Sequence, residues 1–175
     1  MTTPKLSLSV QYAIAAVGLP TRQQFRIWLK TALQRNVRVV LRIVDENEGR
    51  ALNKQFRGKN YATNVLTFTY IDNSNLSEIN YYLNEDSVKL TDDIDFIYGD
   101  IVICAPVTAQ EAREQQKELQ AHYAHLIIHA ALHLQGYDHE NTQDATAMEA
   151  LEVLLLDKLG YPDPYLTTPS VKNLS

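Results

Sequence analysis

Three histidines, His129, His133 and His139, stand at a spacing that can hold a metal ion. The string reads His129-Ala130-Ala131-Leu132-His133-Leu134-Gln135-Gly136-Tyr137-Asp138-His139. A helix brings residues four apart onto one face, so His129 and His133 are expected to project side by side. Gly136 offers the left-handed position that commonly closes a helix, and a turn after it can swing His139 back towards the other two. Three imidazoles converging on one point suit a transition metal, most simply zinc, and leave one coordination position open for chemistry. Zinc lowers the pKa of bound water to about 7, which provides a nucleophile for an amide, an ester or a phosphodiester at neutral pH.

The competing reading is a set of structural histidines. Against it, all five histidines fall between His122 and His139, and the last three are separated mostly by apolar residues. Imidazoles placed there lose solvent and need partners. His125 precedes His129 by one turn and His122 comes nearly a turn earlier, so both can share that face. His125 and His133 are two turns apart, roughly 12 Å of rise, too far to hold one ion. His122 and His125 are therefore expected to support ligands or face substrate. A metallopeptidase helix carries a glutamate directly after its first histidine. Ala130 occupies that position, so the chain reads as hydrolytic but not proteolytic.

The elements needed to position these groups are legible. Leu6 to Tyr12 alternates as a strand does. Thr21 with Gln24 forms a capping box ahead of Phe25, Trp28, Leu29, Ala32 and Leu33, which predicts a helix to about Gln34. Val37 to Val44 is a β-branched strand, with Arg38 and Arg42 opposite Val37, Val39, Leu41 and Ile43. Asp45 and Glu48 open a short helix carrying Leu52 and Phe56 and closed by Gly58. Val65 to Tyr70 predicts a third strand, and Phe96 to Ala105 a fourth, interrupted at Gly99-Asp100. Pro106 permits a helix start, and a polar helix is expected to run to about Gln120. The histidine helix ends near Gln135, and a last helix spans about Thr142 to Leu159. The expected fold is α+β: a small four-stranded mixed sheet packed by about five helices, with the site at the end of a central, buried helix.

At 175 residues the chain is expected to form a single domain, residues 1–175. No apolar run is long enough to cross a bilayer, and Met1 to Val10 does not read as a signal peptide. The one cysteine, Cys104, lies in an apolar strand-like run and reads as packing in a reducing, cytoplasmic compartment. The net charge of −5 conceals an asymmetry. Between Arg22 and Lys59 stand ten basic and three acidic residues, and between Asp72 and Asp95 seven acidic residues and one lysine. A basic half suits a polyanionic partner, although clustered surface charge alone gives the same count. The acidic stretch, residues 71–95, reads as a surface excursion, and residues 166–175 as a short tail.

The segment from Ala121 to His139 closely resembles the signature of the YbeY family, bacterial metal-dependent endoribonucleases of ribosomal RNA maturation. Further blocks agree with it: Leu52-Asn53-Lys54-Gln55-Phe56-Arg57-Gly58-Lys59, Thr63-Asn64-Val65-Leu66-Thr67-Phe68, Gly99-Asp100-Ile101-Val102-Ile103, Met148-Glu149-Ala150-Leu151-Glu152 and Leu159-Gly160-Tyr161-Pro162-Asp163-Pro164-Tyr165. The resemblance runs from about Val37 to Tyr165. It implies one zinc ion per chain, with nickel as the alternative, held by His129, His133 and His139. It also implies a cleft arginine, Arg57, whose guanidinium can clamp the charge that builds on phosphoryl oxygens. Arg57 alone could equally be a cation complementing a helix C-terminus.

The expected function is therefore a single-strand-specific, metal-dependent endoribonuclease acting in ribosomal RNA processing, with single-stranded RNA and ribosome-associated proteins as partners. Asp138 is the candidate to orient His139, with a plain turn aspartate as the alternative, and His125 is the nearest candidate general base. The rival readings are a ribosome-associated RNA-binding factor with a structural metal, and a metal-dependent hydrolase of another substrate. Two positions depart from the family pattern: Ala130 replaces a usual glycine, where a methyl could crowd packing or substrate approach, and Asn64 replaces an aspartate.

Overall fold

The computed structural model describes residues 3–71 and 96–166. Four strands form one mixed sheet in the order β1-β2-β4-β3: β1 (Leu6–Tyr12), β2 (Asn36–Val44), β3 (Val65–Ile71) and β4 (Phe96–Cys104). β1 and β4 both run parallel to β2, and β3 pairs antiparallel with β4. Five described helices accompany them: α1 (Arg22–Ala32), α2 (Glu46–Arg57), α3 (Ala105–Glu114), α4 (Leu119–Leu134) and α5 (Thr142–Lys158). This is the α+β arrangement expected. The acidic excursion and the tail lie outside the described residues, apart from Ile71 and Leu166.

The sheet separates two apolar cores. Val37, Val39, Leu41 and Ile43 alternate inward from β2 and meet Phe25, Trp28 and Leu29 of α1 and the apolar residues of α4. On the other side Val44, Leu66, Val102 and Cys104 pack with Leu52 of α2 and Val107 of α3. Cys104 is a buried packing residue, as its apolar setting suggested, and burial pushes its thiol pKa up. Among the described residues no helix is long and apolar enough to cross a membrane.

Helix ends carry the main differences from expectation. The Thr21–Gln24 capping box is present in full. α1 stops at Ala32 instead of about Gln34 because Gln135, at the end of α4, takes over its terminus. The Gln135 side chain donates to the Ala32 carbonyl at 2.9 Å and accepts from the Gln34 and Arg35 amides at 2.6 and 3.1 Å. That one side chain fixes the end of the histidine helix against α1. Asp45 caps α2 through the Glu48 amide, but the Glu48 carboxylate turns to Arg42 at 2.7 Å and does not close a box.

α3 ends at Glu114, short of the expected Gln120. Gln116 adopts φ 53°, and the Lys117 amide reaches back to the Ala112 carbonyl at 2.8 Å. This is a helix-closing turn with glutamine in the place where sequence reasoning looks for glycine.

Gly99 was expected to interrupt the fourth strand, and β4 is instead continuous through it. Its hydrogen in place of a side chain serves close approach. A Cβ there would lie 2.5 Å from Leu134 Cδ2 and 2.5 Å from the Phe68 carbonyl oxygen. The irregularity sits on the partner strand, where the β3 register shifts between Thr69 and Ile71. Glycine at this point lets the last turn of α4 settle onto the sheet, which sets the depth of the histidines.

Candidate metal centre

α4 is buried almost all round, and its last turns open into a cleft of about 760 Å³. Its end forms as the sequence suggests. Gly136 takes φ 96°, and the Tyr137 amide bonds to the Leu132 carbonyl at 3.1 Å. The chain then reverses and returns His139 to the helix face. Ring centroids lie 4.5 Å apart for His129–His133, 4.9 Å for His133–His139 and 5.6 Å for His129–His139. One ring nitrogen from each histidine can be chosen so that all three lie within 4.8 Å of one another.

The donor set fits a divalent cation. His129 Nε2 and His133 Nε2 face each other at 3.0 Å, a separation that calls for a proton or a cation between them. Tetrahedral zinc holds imidazole nitrogens about 3.3 Å apart at its usual bond lengths, close to that spacing. Burial, reinforced by the neighbouring His129 and His139, lowers the pKa of His133 and keeps its ring neutral, the form that ligates metal. A backbone hydrogen bond with Tyr137 works in the opposite sense.

Arg57 ends α2 on the same cleft. Its guanidinium donates to the Thr67 carbonyl at 3.1 Å and lies 5.8 Å from the centre of the Phe68 ring, which leaves the remaining donors for a ligand. Lys59, Tyr61 and Asn64 line the cleft as well. Arg57 and Lys59 share the cavity with the carboxylates of Asp138 and Glu140, so the groups that suit an anionic substrate are local ones: the guanidinium fork and the three convergent imidazoles.

Several assignments move. Asp138 does not orient the His139 ring: its Oδ1 accepts from the His139 backbone amide at 2.7 Å, so it is the turn aspartate. His125 does not line the cleft. Its Nε2 lies 3.0 Å from Glu152 Oε2 and 3.3 Å from the Tyr165 hydroxyl, which removes it as a general base. Ala130 is fully buried in the main core, so its methyl meets neither substrate nor ligand. Asn64 donates to both oxygens of Glu111 at 3.1 Å, a bond that an ionised aspartate could not make.

The residue that sequence reasoning left without a role is Glu152. Its side chain is fully buried and its Oε1 lies 2.5 Å from His129 Nδ1. The available signal was its place between Met148 and Leu155-Leu156, on the buried face of α5. Burial opposes ionisation of this carboxyl, but hydrogen bonds from His125, His129 and Tyr165 prevail and hold its pKa at about 2.

His122 pairs with Glu111 at 2.8 Å, and its Nδ1 is buried without a partner. Burial lowers the His122 pKa, and the attraction of Glu111 only partly opposes this. The unfolded chain then binds a proton near pH 6.5 that the native state refuses, so stability present above about pH 6.5 declines as pH falls below it. Urea unfolding of the metal-free protein between pH 5 and 8 is expected to show that decline, and His122→Gln is expected to flatten part of it. An unchanged slope in the variant would contradict the assignment.

A family model described as Endoribonuclease YbeY matches residues 19–160. Curated relatives share the description. The Endoribonuclease YbeY of Nitrosomonas europaea is 49% identical over 162 residues, covering 93% of this chain and 86% of that one. Its counterpart in Cupriavidus necator is 47% identical over 167 residues, covering 94% and 75%. The Nitrosomonas eutropha protein is 46% identical, covering 91% and 98%. A Thermotoga maritima protein solved in solution aligns with a TM-score of 0.46 at 20% identity, covering 92% of this chain and 99% of that one.

Proposed function

The chain belongs to the Endoribonuclease YbeY family, and on that premise we propose that it hydrolyses phosphodiester bonds of single-stranded RNA with one zinc ion per chain. Ribosomal RNA during ribosome maturation is the substrate in this reading. Ribosome-associated proteins are its partners, the cytoplasm is its place of action, and the whole chain acts as one domain. The observation that carries the proposal is the convergence of three imidazole nitrogens within 4.8 Å on the cleft that Arg57 also lines.

His129, His133 and His139 would hold the ion. When bound, a divalent ion supplies water of lowered pKa and polarises a phosphoryl oxygen. The protein's own groups do the rest. Arg57 binds the scissile phosphate through its planar fork and stabilises the charge that grows on the non-bridging oxygens. Lys59 adds positive potential along the path of the chain. Tyr61, 54% exposed beside the site, offers a face on which an unstacked base can rest, which favours a single strand over a duplex.

The test compares one RNA sequence unpaired and annealed to its complement, with and without chelator. The unpaired strand is expected to be cut, the duplex spared, and activity lost on chelation and regained with added zinc. RNA binding without cleavage by the zinc-loaded protein would favour a binding factor with a structural metal. Peptide hydrolysis without RNA cleavage would favour a hydrolase of another substrate.

A further inference from the structure

Three separate segments meet at one buried carboxylate behind the histidine cluster. Glu152 comes from α5, His125 and His129 from α4, and Tyr165 from the chain beyond α5. The two oxygens are used differently. Oε1 faces His129 Nδ1 at 2.5 Å. Oε2 lies 3.0 Å from His125 Nε2 and also accepts from the Tyr165 hydroxyl. A carboxylate with no solvent exposure is costly unless its oxygens are satisfied, and here they are met from two directions.

We infer that Glu152 is a positioning residue for the metal centre: it holds the Nδ1–H tautomer of His129 and so presents the Nε2 lone pair to the ion. The inference rests on the proposed metal reading. Oε1 stands 2.5 Å from Nδ1 while Oε2 is engaged by other groups, so the carboxylate is placed to take the Nδ1–H of His129 and leave the ring's lone pair on Nε2. That is the nitrogen facing His133. His125 and Tyr165 fix the carboxylate in turn, so His129 meets an acceptor that is itself held in place. Carboxylates in this relation to a ligating imidazole raise its basicity and lock its ring, and disturbing them weakens metal binding about 10–100-fold.

The experiment is zinc competition against a chelator of known affinity, run on the full chain as wild type, Glu152→Gln, Glu152→Leu and His129→Ala. Glu152→Gln keeps an acceptor for Nδ1–H but loses the charge, and is expected to bind zinc about tenfold more weakly. Glu152→Leu loses both and is expected to approach a hundredfold loss. Thermal melting of each metal-free variant separates a fold defect from a ligand defect. Nitrogen NMR of the metal-free wild type reads the tautomer directly, without a mutation, and is expected to find His129 protonated on Nδ1.

Wild-type zinc affinity in both Glu152 variants, or a His129 proton on Nε2, overturns the inference while leaving the metal reading intact. Absence of zinc binding in the wild type itself removes the metal reading, and the inference falls with it.

Discussion

His129→Ala is expected to abolish zinc binding and RNA cleavage together. Of the three histidines, His129 has the most to lose. It faces His133 through Nε2 at 3.0 Å and Glu152 through Nδ1 at 2.5 Å. Alanine therefore removes a ligand and also strips a fully buried carboxylate of one of its donors. The loss of zinc affinity should exceed the roughly 10–100-fold that follows from disturbing a ligand's hydrogen-bond partner, because here the ligand itself goes. Cleavage should fall to background, with no nucleophile generated near neutral pH. Elemental analysis and cleavage of a labelled RNA by the same preparation measure both. Circular dichroism checks that α4 still forms. Since α4 buries Tyr123, Ile127, Ile128 and Leu132 independently of the site, the helix is expected to survive.

Arg57→Glu is expected to separate the two properties: zinc retained, cleavage lost. Arg57 is exposed at the end of α2 and touches none of the histidines by hydrogen bond. The substitution gives up one bond to the Thr67 carbonyl and the contact with Phe68, a surface change of small cost to stability. Its catalytic cost is far larger. Removing a single preorganised donor to developing charge lowers turnover about 10²–10³-fold, and a carboxylate in its place repels the phosphate besides. Arg57→Lys should recover only part of the rate, since an ammonium cannot grip two oxygens as the guanidinium fork does. Lys59 stays in the cleft in both variants, so RNA affinity should fall less than turnover. Single-turnover rates and filter binding on zinc-loaded protein separate the two. A variant that cleaves at the wild-type rate would remove Arg57 from the mechanism.

Much of this could be read before any coordinates. The β2 alternation of Val37, Val39, Leu41 and Ile43 placed one face of the sheet in the core, as found. The spacing of His129 and His133 followed from helical periodicity, and Gly136 foretold the turn that returns His139. What escaped was decided by tertiary contact. Gly99 resembles a strand breaker in sequence, but its reason is the approach of Leu134 from another element. Gln116 closes α3 in a conformation that glycine usually advertises. His125 and Asp138 sit at spacings compatible with roles in the site, and only distances show that their polar atoms are engaged elsewhere. Glu152 is one of several acids near the C-terminus; its spacing with Met148 and Leu155 on one helix face was the signal, and its packing against α4 shows which groups it meets.

X-ray absorption at the zinc edge of the loaded protein decides whether three imidazoles hold the ion. Three imidazole nitrogens at about 2.0–2.1 Å and one light oxygen donor are expected. A fourth ligand from the protein, or zinc bound with no histidine signature, would contradict that coordination.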